Sequence, residues 1–212
     1  MEGTPVTVTS VSEVGPGTVA LELETPADFD AQPGQFVLLR ATPDDEEISR
    51  HYTLSSPSVE DTFELTVGVD PDGDLSPWLA DLEGGETVAI EGPFGRSTYD
   101  GDGDVVAVAG GPGVGAAVAI AEAAQEAGHD AVVIYQDDEP AHEARLEALE
   151  DAGATVTVLE ADADAELADA VATHREDGQL YAFGFDDFVT FVADTIEHDG
   201  GDPDEALIEN FG

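Results

Sequence analysis

Apolar and polar residues alternate in short segments over the first half of the chain. The clearest segment is Phe63–Val69, in which every second residue is apolar, and this period of two is typical of a half-buried antiparallel strand. A short helix is expected over Ser76–Leu82, with Ser76 as its N-cap and Pro77 at its first position. Several short strands at such spacing predict a small antiparallel β-barrel. Segments of similar character, separated by Gly, Pro and Asp, are Val6–Val11, Val19–Leu23, Phe36–Leu39 and Val88–Ile90.

After the polar stretch Ser97–Asp104, apolar strands alternate with helical segments. Val105–Ala109 is a continuous apolar run that leads through a glycine turn into an alanine-rich helix ending near Ala127. This alternation predicts a parallel sheet covered by helices on both faces. The other predicted segments are strands Ala131–Tyr135, Thr155–Leu159 and Leu180–Phe183 and helices around Glu143–Glu150, Glu166–Thr173 and Phe188–Glu197, the last burying Val189, Val192 and Ile196 at helical spacing.

These two patterns predict a protein of two domains. A chain of 212 residues is long enough for two domains of about 100 residues each. We expect an antiparallel β-barrel over residues 1–98, followed by an α/β domain with a parallel sheet over residues 99–212.

The charge balance of the chain is extreme. It has 49 acidic residues against five basic ones, a formal net charge of −44, and all five basic residues are arginines. Such a surface excludes binding to nucleic-acid phosphates and to anionic membranes. A hydrophobic fraction of 42% still allows an ordinary core, so the acidity is expected to coat a folded protein. Lysine-free acidic surfaces resemble those of cytoplasmic proteins from salt-accumulating halophiles, in which molar salt screens the repulsion.

Features that the sequence lacks narrow the function further. The chain has no cysteine, which excludes disulfides, thiolate metal sites and iron–sulfur clusters held by the chain itself. The segment Met1–Pro5 has neither the basic nor the apolar region of a signal peptide, and no apolar run approaches 20 residues, so we expect a cytoplasmic protein without a membrane span. The acidic run Asp70-x-Asp72-x-Asp74 lacks the glycine and glutamate of a calcium loop. No metal site is predicted.

Four stretches of the chain can carry chemistry. In Arg50-His51-Tyr52-Thr53, a ring beside a hydroxyl and a guanidinium suits a planar cofactor with a phosphate, but a strand with one outward arginine explains the same residues. Gly73-Asp74-Leu75-Ser76 leads into a helix N-terminus, where backbone N–H groups attract anions, or it is only a capped helix. Glu91–Gly95 is expected to form a turn that closes the barrel. Ala109–Ala116 is a strand–glycine–helix junction of the kind at which dinucleotide pyrophosphates bind.

The order and spacing of these motifs resemble the ferredoxin–NADP reductase family. Arg-x-Tyr-Thr, Gly-x-x-Ser-x-Trp-Leu, Gly-Pro-Phe-Gly and Gly-Gly-x-Gly follow one another, and the likeness extends to the terminal Glu209-Asn210-Phe211-Gly212. The resemblance implies a barrel that binds FAD and an α/β domain that binds NAD(P)H. It also implies that Arg50 pairs with the flavin pyrophosphate, that Tyr52 stacks on the isoalloxazine and that Thr53 lies near the flavin N5.

The same resemblance assigns the other site residues. Gly73 to Ser76 would offer backbone donors to the pyrophosphate, Glu209 would lie beside the hydride path and Phe211 would cover the flavin face. A terminal strand with one buried ring is the alternative for these last two residues. The residues assigned as catalytic are Tyr52, Thr53, Glu209 and Phe211, and those assigned to cofactor binding are Arg50, Tyr52, Thr53, Gly73, Leu75, Ser76, Gly110, Gly111, Gly113, Asp138, Phe183 and Gly184.

The nicotinamide half departs from the family pattern. Pro112 stands where the family usually has Thr or Ser, and it has no N–H to offer a phosphate. The family's Cys-Gly-Pro is Phe183-Gly184-Phe185 here. The acidic Asp137-Asp138-Glu139 after the second α/β strand would repel a 2′-phosphate, whereas one carboxylate, assigned to Asp138, can hydrogen-bond a ribose 2′-hydroxyl. NADH is therefore favoured over NADPH.

Three functions remain open at this point. The leading one is a flavin-dependent oxidoreductase that takes a hydride from NAD(P)H onto FAD and passes electrons to a separate acceptor such as a ferredoxin. The second is an FAD-binding electron-transfer subunit with a degenerate nicotinamide site, and the third is an acidic non-catalytic interaction protein. FMN in place of FAD also remains open.

Overall fold

The first half of the chain folds as the expected barrel in the computed structural model, which describes residues 3–43 and 46–212. Met1, Glu2, Asp44 and Asp45 lie outside these ranges, and with them the start of the N-terminal segment considered above. Six antiparallel strands follow the order β4-β3-β6-β1-β2-β5, and a bridge between Leu54 and Leu65 joins the two ends. The elements are β1 (Thr4–Gly15), β2 (Thr18–Glu24), β3 (Phe36–Ala41), β4 (Ile48–Thr53), β5 (Thr62–Gly68), α1 (Ser76–Ala80) and β6 (Thr87–Phe94).

The alternation seen in the sequence fills the barrel. Inward positions of successive strands, among them Val8, Leu21, Leu39 and Leu65, are fully buried together with Leu79 of α1. A strand with every second side chain buried keeps the intervening positions for the outer surface. In β4 these outward positions leave Arg50 exposed at the edge of the sheet.

Two local predictions in the barrel are wrong. Helix α1 ends at Ala80, and its N-cap is Leu75 rather than Ser76. Ser76 does not cap the helix because its hydroxyl accepts a hydrogen bond from the Asp70 backbone N–H at 3.0 Å. The stretch Glu91–Gly95, expected as a turn, continues β6 as far as Phe94, which pairs with Phe36. A shift in the β3–β6 register between Phe36 and Leu38 accommodates one extra residue on β6.

The second half is the expected α/β layer. Five parallel strands follow the order β11-β10-β7-β8-β9, with α2 and α3 packed on one face and α4 and α5 on the other. No helix among the described residues is both long enough and apolar enough to cross a membrane. The elements are β7 (Val105–Gly110), α2 (Val114–Ala127), β8 (Ala131–Gln136), α3 (Glu143–Asp151), β9 (Thr155–Leu159), α4 (Asp164–His174), β10 (Gln179–Gly184), α5 (Asp186–His198) and β11 (Leu207–Asn210).

The strand order places a switch point between β7 and β10. The chain moves from β7 outward to β8 and β9, and then returns to the other side of β7 for β10 and β11. A crevice forms where the connections leave in opposite directions, at the carboxyl ends of the strands, and open α/β sheets bind ligands there. Gly110 ends β7 and Gly184 ends β10, so the glycine turn and the carboxyl end of β10 flank this crevice.

The α/β half packs directly on the outer surface of β1 and β5. The buried His142 donates its backbone N–H to the Val14 carbonyl at 2.7 Å, and its Nε2 lies 2.8 Å from the hydroxyl of the buried Thr66. Gly115 of α2 has no space for a Cβ because Thr66 and Ser55 lie against it. Burial, with a smaller contribution from Arg145, lowers the pKa of His142 to about 4, so the ring is neutral at pH 7.

We expect this buried histidine to make the fold acid-sensitive. The pKa of His142 is lower in the folded chain than its ordinary value of 6.5, so between these values the unfolded chain takes up a proton that the folded chain excludes. The stability contributed by neutral His142 is complete above pH 6.5 and is lost as the pH falls toward 4. Replacement His142→Gln removes the titrating group while keeping a polar side chain beside Thr66.

Denaturant unfolding at pH 7 and pH 4.5, in constant molar salt, tests this expectation. Between these pH values the parent chain should lose about 2–3 kcal/mol more unfolding free energy than His142→Gln. Titration of the many carboxylates is common to both proteins and cancels in the difference. Equal pH dependence of the two proteins would show that His142 titrates normally.

Candidate functional site

A cleft of about 780 Å³ lies where the barrel meets the α/β half. This volume is within the range of about 300–1,000 Å³ that is typical of small-molecule and cofactor pockets. Its walls are strand β4, the loop from Gly68 to Ser76, the turn at Pro112 with the first turn of α2, and the chain end Glu209–Gly212. The cleft therefore joins residues that are more than 150 positions apart in the sequence.

The first wall is the motif on β4, and Arg50, His51, Tyr52 and Thr53 all line the cleft. The Tyr52 ring packs partly against the barrel core. Burial raises the pKa of Tyr52 to about 12, although the Arg50 charge acts in the opposite direction, so the phenol is protonated at pH 7. At the edge of this wall, the ring of Phe36 meets that of His51 edge-on, with centroids 5.2 Å apart. Together these side chains form an aromatic surface with polar groups along its border.

Arg50 differs from most of the other arginines in its surroundings. Arg40, Arg145 and Arg175 each contact at least one carboxylate. Arg50 has no carboxylate within 4.0 Å among residues 3–43 and 46–212, and its Nη1 donates to the neighbouring Ser49 carbonyl at 2.8 Å. In a chain with 49 acidic residues, an unpaired guanidinium at a cleft wall is a local positive site that suits an anion.

The second wall is a tightly folded loop that precedes α1. Gly73 donates its N–H to the Asp70 carbonyl at 2.9 Å, and a Cβ on Gly73 would lie 3.2 Å from the same oxygen. Leu75 is 3% exposed because its side chain is in the barrel core, which leaves its backbone to face the cleft. Gly73, Leu75 and Ser76 all line the cleft, as their assignment to cofactor binding requires.

The third wall is the end of the chain. Strand β11 pairs with β10 so that Glu209 lies beside Phe183, and the Phe211 N–H donates to the Gly184 carbonyl at 2.9 Å. Burial raises the pKa of Glu209, while a hydrogen bond from the Ser97 hydroxyl, at 3.4 Å, partly opposes the shift. The four residues assigned as catalytic, Tyr52, Thr53, Glu209 and Phe211, therefore line one cleft.

The glycine turn lies behind the cleft wall. Gly110, Gly111 and Gly113 are not among the lining residues, whereas Pro112 is. A Cβ on Gly113 would collide with the Phe183 carbonyl, and a Cβ on Gly110 would lie 2.7 Å from the Phe188 ring. These glycines therefore allow close packing of the turn against β10 and α5. Pro112 reaches the barrel, since a Cβ on Gly68 would lie 3.3 Å from the proline ring.

Phe183, which the sequence assigns to cofactor binding, is not among the residues that line the cleft, whereas Phe185 is. The Phe183 side chain is fully buried in the core between the sheet and α2, because it points to the same face of β10 as Tyr181. Phe185 follows the end of the strand, is 54% exposed and lines the cleft. Its ring meets that of Phe211 edge-on, with centroids 6.1 Å apart.

The acidic stretch after β8 has an ordered arrangement. The Asp138 carboxylate accepts the Ala161 N–H at 2.9 Å, which ties it to the loop after β9. The Asp137 carboxylate accepts the hydroxyl of the fully buried Tyr135 at 3.1 Å and faces the glycine turn, 4.0 Å from the position of a Cβ on Gly111. Asp137 is therefore the carboxylate of this stretch that faces the turn, whereas the sequence assignment was to Asp138.

The two arginines nearest in sequence to this stretch are occupied elsewhere. Arg145 is held by Glu64 and Glu122 in the contact with the barrel. Arg175 follows α4 and pairs with Asp199 at 2.6 Å, beyond the C-terminus of α5 and at the opposite end of the sheet from the cleft. Neither side chain faces Asp137.

Three cleft residues were not singled out by the sequence. Phe36 and Thr66 belong to strands whose alternation gives no sign of what covers their outer faces, and Phe185 was noted only as part of a motif. All three line the cleft. The alternation in β5 places Thr66 on the outer surface of the barrel, and only the docking of the α/β half makes this position buried.

Comparisons with known proteins agree with this architecture. The family model of the oxidoreductase FAD-binding domain matches residues 5–99. The glycine betaine monooxygenase reductase subunit of Chromohalobacter salexigens is 40% identical over 101 residues, which cover 46% of this chain and 27% of that protein. The matched part thus spans about a quarter to a third of the length of that protein and of the glycine betaine monooxygenase reductase subunits of Pseudomonas aeruginosa.

Solved structures match the whole chain at low sequence identity. A ferredoxin NADP⁺ reductase from Neisseria gonorrhoeae with bound FAD and NADP has a TM-score of 0.80 at 19% identity, covering 99% of this chain and 98% of that one. The flavohem-like FAD/NAD-binding domain of the nitric oxide dioxygenase from Vibrio cholerae has a TM-score of 0.80 at 22% identity and covers both chains completely. Residues 5–99 are thus similar to the oxidoreductase FAD-binding domain, and the chain as a whole has the ferredoxin reductase-like fold.

Proposed function

We propose that this chain is a flavin-dependent oxidoreductase that takes a hydride from NAD(P)H onto FAD and passes the electrons to a separate acceptor such as a ferredoxin. In this proposal residues 1–98 form the FAD-binding domain and residues 99–212 the NAD(P)-binding domain. The observation that carries it is the single cleft in which the β4 motif, the loop before α1 and the chain end meet. The cleft adjoins the switch point of the sheet, where nucleotides bind in this class of fold.

The residues present fit FAD. Bound FAD supplies a ring that accepts a hydride and can release electrons singly. Arg50, which has no carboxylate partner in the described part of the chain, is placed to neutralise a cofactor phosphate. The backbone N–H groups of Asp74, Leu75 and Ser76 add uncharged donors on the same side, while that of Gly73 is bonded to the Asp70 carbonyl. Tyr52 offers a ring face for stacking, and the Thr53 hydroxyl offers a hydrogen bond at the polar edge of a planar group.

The chain end supplies the opposite side of the cleft. Phe211 and Phe185 meet edge-on and exclude water from the part of the cleft that faces Tyr52. Glu209 is half-buried and its pKa is raised, so its carboxyl group can hold a proton at the cleft wall more readily than an exposed glutamate. We assign to Phe211 and Phe185 the shielding of the cofactor ring, and to Glu209 the holding of a proton beside it.

The α/β half favours NADH over NADPH. Asp137 faces the glycine turn, Asp138 and Glu139 add two further charges, and Arg145 and Arg175 are occupied elsewhere. A carboxylate can accept a hydrogen bond from a ribose 2′-hydroxyl, whereas it repels a 2′-phosphate. We assign this discrimination to Asp138, the position given by the sequence, together with Asp137.

An FAD-binding electron-transfer subunit is the second candidate. Two observations favour it: Pro112 cannot donate an N–H to a phosphate, and the buried ring of Phe183 cannot form a hydrogen bond at the cleft. In that case the nicotinamide site has lost its function and the flavin receives electrons from another protein.

The acidic surface suggests the setting in which the protein works. A net charge of −44 with no lysine supports a halophilic host and a location in a salt-rich cytoplasm. Because these 212 residues include no cysteine, they hold no cysteine-ligated iron–sulfur centre of the electron path.

Replacement Arg50→Ala should weaken FAD binding about tenfold to a hundredfold, since a hydrogen bond to a charged group contributes about 1.5–3 kcal/mol. Arg96→Ala is the matched control. It removes an equally exposed arginine that has no ion pair among the described residues and does not line the cleft. Titration of the apoproteins with FAD, followed by flavin fluorescence, measures both affinities. Equal FAD affinities of the two variants would show that Arg50 does not contribute to the cofactor site.

In molar KCl, anaerobic reduction of the flavin should have a kcat/KM at least about tenfold higher with NADH than with NADPH. The carboxylates repel the 2′-phosphate of NADPH, since like charges about 4 Å apart repel by several kcal/mol at low salt and by less when salt screens them. Asp137→Asn and Asp138→Asn should narrow this ratio. Asp130→Asn, an exposed acid at the opposite end of β8, should leave it unchanged. A preference for NADPH contradicts the assignment, and reduction by neither nucleotide favours the subunit.

The melting temperature should rise steeply with KCl, because the screening length falls from about 10 Å at 0.1 M to about 3 Å at 1 M and the acidic surface then repels itself less. Scanning calorimetry of the FAD-loaded protein across this range provides the measurement. A melting temperature that does not change with salt would argue against a halophilic setting.

A further inference from the structure

Arg145 joins the two halves of the molecule at one point. Its Nη1 donates to the Glu64 carboxylate of β5 at 2.9 Å, and its Nη2 donates to the Ser55 carbonyl at 2.7 Å. Both acceptors belong to the barrel, whereas Arg145 lies on α3. On its own side of the contact, the guanidinium forms two bonds with Glu122 of α2, Nε to Oε1 at 2.8 Å and Nη2 to Oε2 at 2.6 Å. All four hydrogen bonds come from one side chain.

The contact is largely shielded from solvent, and its charged side chains are hydrogen-bonded. The side chains of Arg145, Glu64 and Glu122 are 23%, 28% and 23% exposed. The Ser55 hydroxyl donates to the same Glu64 oxygen at 2.8 Å, which orients that carboxylate toward the guanidinium. Charge pairs that are partly buried are screened by salt much less than exposed ones. This pair therefore keeps its strength under the conditions that suit the acidic surface.

Neighbouring contacts connect Arg145 to both walls of the cleft. Thr66, two residues after Glu64, lines the cleft and bonds to His142, which lies three residues before Arg145. On the α/β side, Pro112 and Ala116 of the cleft wall are continuous with α2, the helix that carries Glu122. Any change in the Arg145–Glu64 distance therefore moves one wall of the cleft relative to the other.

We propose that Arg145 and Glu64 are positioning residues, which set the orientation of the nucleotide-binding half on the barrel and thereby the alignment of hydride donor and flavin across the cleft. The kinetic part of this inference rests on the proposed function. Neither residue is assigned to contact the cofactor or the nucleotide. Their effect on the reaction comes from alignment alone, and a displacement of about 1 Å is enough to slow a transfer of this kind a hundredfold.

The chain offers a matched pair of variants. Glu64→Ala removes the charged partner of Arg145 on the barrel and leaves its bond to the Ser55 carbonyl and its two bonds to Glu122. Glu122→Ala removes the partner within the α/β half and leaves both bonds to the barrel. The two substitutions delete the same group, change the net charge equally and disturb the same arginine, and they differ in whether the ion pair between the halves is lost.

The first readout does not depend on any bound group. The His142 amide donates to Val14 across the same contact, so hydrogen exchange of this amide in the apoprotein reports opening of the two halves. In molar KCl, Glu64→Ala should exchange at this amide about tenfold faster than the parent chain, whereas Glu122→Ala should stay within about threefold of it. Equal rates in the two variants would overturn the structural part of the proposal.

The second readout is anaerobic stopped-flow reduction of the FAD-loaded proteins by saturating NADH. Glu64→Ala should lower the limiting rate constant of flavin reduction about tenfold to a hundredfold, with unchanged FAD affinity, and Glu122→Ala should stay close to the parent. If the parent is reduced and Glu64→Ala is reduced equally fast, the positioning role is wrong. If no protein is reduced but exchange at the His142 amide still differs, the proposed function fails and the structural contact stands. If Glu64→Ala does not fold, the pair Glu64→Gln and Glu122→Gln replaces it, with the same order of effects.

Discussion

The close contact between the barrel and the α/β half is the constraint on which the rest of the structure depends. The side chains of Thr66 and Ser55 lie against the backbone of Gly115 and leave no space for a Cβ. The polar groups trapped there are paired with one another, Thr66 with His142 and Glu64 with Arg145. Buried polar groups are costly unless they are satisfied, so this contact tolerates few other arrangements of the two halves.

The cleft exists because of that contact. Its walls come from both halves, and neither half alone encloses the volume between Tyr52 and Phe211. The switch point of the sheet opens toward the same region. A cofactor held by the barrel and a nucleotide held by the α/β half can meet there without a large rearrangement, which makes the cleft a suitable place for transfer between two bound molecules.

The distribution of the five arginines shows how an acidic protein uses its few positive charges. Arg40 pairs with Glu91 inside the barrel sheet, Arg145 joins the two halves and Arg175 pairs with Asp199 at the end of α5. Arg50 faces the cleft and is not paired with any carboxylate in the described ranges. Because the surrounding surface is acidic, a free guanidinium in a concave site stands out electrostatically and directs anions to this point. Four of the five arginines thus lie in contacts or at the candidate site, and Arg96 is exposed away from the cleft.

Local sequence determined the elements and the barrel motifs. The period of two in β5 and the apolar run of β7 arise from the alternation and burial of neighbouring side chains, which are properties of a short segment. The β4 motif and the loop Gly73–Ser76 reached the cleft as expected, because each acts through residues within one turn or strand. The predicted N-cap of α1 was wrong. The Ser76 hydroxyl can bond either to an N–H of the first helical turn or to the Asp70 N–H, and only the folded loop brings the Asp70 N–H within reach.

Tertiary structure decided the remaining features. Arg145 could not be assigned from the sequence, since its partner Glu64 is 81 positions away and nothing in the pattern of either element links them. Phe183 is in the core and Phe185 at the cleft because the pairing of β10 with β7 and β11 turns the Phe183 side chain inward, while Phe185 follows the end of the strand. The different surroundings of Asp137 and Asp138 depended on the Ala161 N–H, which holds Asp138, and on the glycine turn, which Asp137 faces. In each case the deciding partner is distant in sequence or lies on another element, and a pairing of that kind leaves no periodic signal along the chain.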